Sequence, residues 1–138
     1  MVDKIKESMS MYANALRLRA TRQDVIAGNL ANADTPNYKA VDFDFAKALS
    51  NAQSGSTIGQ SIQTAVTHPS HLVLKGKGLH GGDLMLKYRE VEKRSIDNNT
   101  VDIDIERASF SENTVKYEAA NQSLSGLIKT MRSAITGN

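Results

Sequence analysis

Two imidazoles stand three residues apart in His68-Pro69-Ser70-His71, with His80 downstream, and these are the side chains whose type and spacing come nearest to a metal site. Zinc needs three or four ligands converging on one point. The chain has no cysteine to add to such a set, and Pro69 breaks the helical frame that would present a histidine pair. The histidines read as loop residues. Gly76-Lys77-Gly78 and Gly81-Gly82 resemble a phosphate cradle only loosely, because a phosphate loop closes on Gly-Lys-Ser/Thr and opens a helix; they read as a flexible turn. Asp102, Asp104 and Glu106 alternate as calcium ligands could, but without the Gly and later Glu of an EF-hand loop. Helix initiation accounts for them better. Asp42 and Asp44 could form an acid pair for hydrolysis, yet nothing places them in a pocket, and they read as two solvated carboxylates. No Gly-x-Ser-x-Gly surrounds a serine. The expectation is a chain that is no enzyme and takes no cofactor and no metal.

The composition points the same way. The 138 residues suit one domain, with no Trp, three Phe and four Tyr. Aromatic side chains that usually line ligand pockets are scarce. The formal net charge is +2, and Lys and Arg are scattered from Lys4 to Arg132 with acids between them, unlike the concentrated basic face of a nucleic-acid binder. The opening Met1-Val2-Asp3-Lys4-Ile5-Lys6-Glu7 carries acids and lacks the continuous apolar run of a secretory signal. No stretch approaches the roughly 20 apolar residues that span a bilayer.

Those residues have to be positioned by elements that fall into a few segments. Over 1–33 apolar side chains recur at Val2, Ile5, Met9, Tyr12 and Leu16, then at Ile26, Leu30 and Ala33, in the alternating steps of three and four of a heptad seam. Arg19 and Gln23 fall on that seam, and Gly28 weakens a helix by about 1 kcal/mol relative to Ala, so a break or bend is expected between Arg19 and Gly28. Pro36 disfavours helical geometry at Thr35, and Asn37 tolerates positive φ, so 34–49 should be a turn and short connector, with a helical turn at Ala46 to Leu49. The span 50–100 begins in a Ser-, Gln-, Asn- and Gly-rich linker over 51–61 and offers short strands at 62–74 and 84–91. Finally, 101–138 reads as a second long helix, opened by the acids from Asp102 and stopped by Gly137.

The last helix carries the clearest pattern. Phe110, Tyr117, Leu124 and Met131 recur every seventh residue, Ala120, Leu127 and Ala134 take the matching positions, and Ile128 and Ile135 widen the stripe. Asn113 is its polar exception. The predicted fold class is therefore mainly α: long N- and C-terminal helices packing as a coiled-coil-like pair, with an irregular or small β-containing middle section. A helix of that kind is roughly 45 Å long, too long to hide its stripe against a small middle section. Each large apolar side chain left wet forgoes about 1.5–3 kcal/mol of burial. The two helices are expected to pack on one another and on neighbouring molecules, with much of both ends ordering only on assembly. A soluble cytoplasmic helical adaptor or export chaperone, whose ends are ordered before it meets a partner, is the alternative.

At Asn29-Leu30-Ala31-Asn32-Ala33-Asp34-Thr35-Pro36-Asn37-Tyr38-Lys39 the chain resembles the flagellar basal-body rod protein family, whose rod and hook members share a helix end of the type N-(I/L)-A-N-x-(N/D)-T-x-G-Y. Asn37 stands where that pattern has Gly. The run Ala40 to Phe45, the run Asn98 to Glu106, the stretch Asn113 to Tyr117 and the upstream Leu16 to Gln23 resemble the proximal-rod members in particular, whereas residues 50–95 are not diagnostic. The resemblance implies a structural subunit exported by the flagellar type III apparatus without signal cleavage and built into the periplasm-spanning rod. It implies as partners copies of itself, other rod proteins, the adaptor FliE, the membrane ring protein FliF and the export gate. It makes Asn29, Ala31, Asn32, Asp34, Thr35, Pro36, Asn37 and Tyr38 the rod motif. The assembly interface is then expected at Ile5, Met9, Tyr12, Leu16, Ile26 and Leu30 on the first helix. On the last helix it is expected at Phe110, Tyr117, Leu124, Leu127, Ile128, Met131 and Ile135.

Overall fold

The computed structural model describes residues 2–54, 86–89 and 96–137. Its elements follow the order α1 (Val2–Ala31), β1 (Val41–Asp42), α2 (Phe45–Gln53), β2 (Lys87–Tyr88) and α3 (Ile103–Thr136). The histidines, the glycine turn and the strand expected at 62–74 lie outside the described residues.

The long helices α1 and α3 pack along one another. Asn29, near the end of α1, meets Glu106 at the start of α3, whereas Arg19 and Gln23, further back on α1, meet Asn113 and Thr114, further along α3, so the pair is antiparallel. α3 starts where Asp102 accepts from the N–H groups of Asp104 (3.0 Å) and Ile105 (3.3 Å), satisfying donors that a helix start leaves open. It ends at Gly137, whose left-handed backbone (φ 73°) lets its N–H reach Ser133 O. α2 is capped in the same way by Asp44, which accepts from Lys47 N at 3.1 Å, and it packs on α1 near Asn14, whose amide donates to Ala52 O. Between β1 and β2 the sheet is antiparallel, with Val41 opposite Tyr88 and Asp42 opposite Lys87.

Two local expectations give way. α1 runs unbroken through Arg19, Gln23 and Gly28. Arg19 and Gln23 need no break because their polar groups meet a polar partner on α3, and at Gly28 the missing side chain would touch nothing. The helical turn after β1 extends to nine residues, through Gln53, into what reads as linker. Only Leu18, Ile26, Ala40 and Phe43 form a buried apolar core among the described residues, and they sit where α1 and the 38–43 segment meet.

Candidate functional site

That small core is surrounded by buried polar groups, and the motif residue Asn29 is central to them. Asn29 is fully buried. Its amide donates to Val41 O at 2.8 Å while its Oδ1 accepts from Val41 N at 3.1 Å and from the Tyr38 hydroxyl at 3.3 Å. One side chain thus satisfies both main-chain groups of Val41 in place of a neighbouring strand, as buried backbone requires. Asn32 donates to Gly28 O and accepts from the Thr35 hydroxyl, which tightens the helix end. Asn99, from the far side of the chain, donates to the carbonyls of Asn32 (2.9 Å), Ala33 (2.6 Å) and Thr35 (3.0 Å). It is the cap for the C-terminal end of α1.

The turn itself depends on Asn37, held at φ 62° while its N–H donates to Asp97 O at 2.9 Å. Asn and Gly are the residues that enter this left-handed region at least cost, so the turn survives without the family's glycine. Asp34, Pro36 and Ala31 are exposed and make the turn's outer surface.

Beside Asn29 lies a chain of charges. Arg22 grips Asp42 with two bonds, of 3.2 and 2.8 Å. Arg89 reaches the same carboxylate at 3.3 Å and, with its other nitrogen, Glu106 at 2.5 Å. Glu106 is 0% exposed, and its second oxygen faces the Asn29 amide at 3.4 Å. Two guanidiniums therefore balance two carboxylates. Removing one member of a buried pair strands the other and costs about 3–5 kcal/mol. Asp42 is thus no solvated carboxylate, and Glu106 does more than open α3. Neither Arg89 nor Asn99 was identifiable by periodicity, because each acts from an irregular segment. Among the described residues no buried side-chain nitrogen or oxygen lacks a partner, and no group of acids and histidines is arranged to hold a metal.

A second polar layer lies nearly two turns along α3. Asn113, also buried, donates to Arg19 O at 2.9 Å and to Gln23 Oε1 at 2.5 Å, and Gln23 donates onward to Thr114 at 3.1 Å. The Arg19 guanidinium lies 3.6 Å over the Phe45 ring, a cation–π contact. Burial, then the neighbouring Arg22 charge, lowers its pKa, against the opposing pull of Glu112. On the outer face of α3 Lys116 hydrogen-bonds Glu112 and draws that carboxyl's pKa down. The three interruptions of the two apolar seams thus meet at one level.

The apolar stripe residues fare differently. Ile5, Met9, Tyr12, Leu16 and Leu30 on α1, and Leu124, Leu127 and Met131 on α3, are half-buried, whereas Ile26 is fully buried inside the subunit. Phe110, Tyr117, Ile128 and Ile135 are exposed, Ile135 at 82%. With Ile103 they fall within about 40° of one another around α3, forming an apolar ridge along its length. Tyr117 shares a shallow cleft with Ala20 of α1. Ala13, Ala20 and Ala27, seven residues apart, are all exposed on that side. Arranged this way, the molecule can dock other helices; it offers no convergent set of reactive groups among the described residues. No described helix is long and apolar enough to cross a membrane.

Comparison with known proteins adds two findings. Residues 9–39, from Met9 on α1 through the turn, match the family model described as flagella basal body rod protein. Over its whole length the chain is similar to the flagellar basal body rod protein FlgB of Escherichia coli (strain K12), 39% identical over 139 residues and 100% of both chains. The FlgB proteins of Proteus mirabilis (strain HI4320), 37% identical over 136 residues and 98% of both, and Cereibacter sphaeroides, 34% over 132 residues and 96% of both, are similar to it on the same scale.

Proposed function

The chain belongs to the FlgB family of flagellar basal body rod proteins and is a structural subunit of that rod, and on that premise we propose that α1 and α3 are its assembly elements and that it performs no catalysis. The single observation carrying this reading is the apolar ridge of α3. Ile103, Phe110, Tyr117, Ile128 and Ile135 are exposed along one side of a 34-residue helix. Burying such side chains contributes about 1.5–3 kcal/mol each at best, a strong drive toward neighbours. The half-buried stripe from Ile5 to Leu16 and from Leu124 to Met131 closes the pair and stiffens it. The rod motif, Asn29 to Tyr38, fixes where the chain leaves α1 and so how the middle section projects.

The neighbours are copies of this chain and other rod proteins. As the chain sits at the proximal end, the adaptor FliE, the membrane ring protein FliF and the export gate complete the partner set. The subunit reaches the periplasm-spanning rod through the flagellar type III system, without cleavage of a signal. The cysteine-free sequence suits a chain that crosses an oxidising space before it folds.

Ile128→Asp tests this directly, because Ile128 is exposed in the subunit and the change leaves the α1–α3 seam in place. The purified variant should keep its helical circular dichroism and be exported, yet cells carrying it as the only copy should not swim and should yield basal bodies without a rod. Normal swimming would overturn the assignment.

A further inference from the structure

We infer that Arg89 is a latch: residues 86–89, which carry β2, must pair with β1 before α3 can seat on α1 at Glu106, so this short segment controls closure of the helix pair. The coupling is written in four contacts. The main chain of this strand is tied to β1, because Arg89 N donates to Ala40 O at 2.9 Å and Asp42 lies opposite Lys87. From that anchored position the guanidinium spans two carboxylates, Asp42 on β1 and Glu106 on α3. Glu106 is fully enclosed, and its other partner is the Asn29 amide at 3.4 Å, too long to compensate a buried charge. Asp42 keeps Arg22 whether or not Arg89 arrives.

The asymmetry decides the order of events. Without Arg89, β1 still docks on α1 through Arg22 and Asn29. α3 docked at the same level would enclose an uncompensated carboxylate. A chain that folds after delivery as an extended polypeptide therefore closes its helix pair last at this layer, after residues from well beyond β1 have returned. The inference concerns closure within one subunit and stands whether or not the α3 ridge is the assembly surface.

Three variants of the full chain test it, read by amide hydrogen exchange resolved along the sequence and by helical circular dichroism in urea. Arg89→Met should accelerate exchange at least tenfold in residues 18–31 and 103–114, as well as in the strands. Adding Glu106→Gln to it should recover most of that protection, since no charge is then enclosed. Lys87→Pro leaves the guanidinium and an exposed side-chain position intact and removes the ladder bond opposite Asp42; it should also loosen both helix segments. The idea is overturned if Arg89→Met or Lys87→Pro loosens residues 86–89 and 41–42 while the helix segments exchange as before. It is also overturned if the effects of Arg89→Met and Glu106→Gln simply add. Should Arg89→Met fail to fold, helix recovered by the double variant upholds the latch, and a double variant that also fails while Glu106→Gln alone folds rejects it.

Discussion

The α1–α3 pair has two ends built from different chemistry. Near the turn, between Leu18 and Ala31 on α1 and between Ile103 and Thr114 on α3, the helices meet through buried polar groups: Asn29 with Glu106, Gln23 with Thr114, and Asn113 with Arg19 and Gln23. Toward the free end, Ile5, Met9, Tyr12 and Leu16 on α1 and Leu124, Leu127 and Met131 on α3 are half-buried, with Ile128 and Ile135 exposed. Hydrogen bonds are directional and penalise a wrong partner, whereas apolar contact is close to non-directional. The turn end thus defines one arrangement within a subunit. On the proposed assembly role, the free end is the part that can exchange neighbours, because apolar contact does not penalise a new partner.

The largest effect that could break this contrast is at Asn29. Asn29→Ala leaves both main-chain groups of Val41 and the Tyr38 hydroxyl short of a partner, and at 1–3 kcal/mol per stranded buried group with partial relaxation the loss should be about 3 kcal/mol. Urea denaturation followed at the helical circular dichroism band measures it. A loss below about 1 kcal/mol would mean that apolar burial, not the polar cluster, holds the turn end together.

A smaller effect with a more telling sign is expected at Asn113. As a polar residue on an apolar heptad seam it looks like a flaw, and on that view Asn113→Leu should stabilise the pair. The structure predicts a loss of about 1 kcal/mol instead, because Gln23 Oε1 and the crowded Arg19 are left facing a methyl group in a buried layer. Leucine should also relax the register, since a single buried polar residue on a seam favours one alignment. Light scattering of the variant should then show a wider spread of oligomers than the parent.

Much of this architecture is legible in the sequence, and what is not legible shares a cause. The two helices, their caps at Asp102 and Gly137 and the turn after Ala31 follow from local periodicity and backbone preference, both properties of neighbouring residues. The exposed ridge follows from the excess of apolar residues over what one partner helix can cover. By contrast, Arg22, Asp42, Arg89 and Glu106 are individually ordinary charged residues, and only the meeting of segments 17 to 47 positions apart makes them a unit. Arg19, Gln23 and Asn113 stand between these cases. Each is visible as an interruption of its own stripe, and an interruption taken alone implies a break in α1. Matching them across an antiparallel pair would have shown that they cancel.

The smallest effect concerns Asn37, and it separates conformation from contact at the turn end. Its φ of 62° lies where a residue with a Cβ is strained and Gly is not. Its N–H donates to Asp97 O, a main-chain bond that any residue except proline can make. Asn37→Gly therefore relieves strain in the folded turn, while it loosens the unfolded chain by an entropy of similar size. The two terms oppose, so stability should change by less than about 1 kcal/mol in either direction. Asn37→Val keeps the main-chain donor but places a β-branched side chain at positive φ, and should lose about 1–2 kcal/mol. If glycine were as damaging as valine, the Asn37 side chain would be making a contact that matters more than the backbone shape it permits. The turn would then specify its exit direction by recognition rather than by conformation.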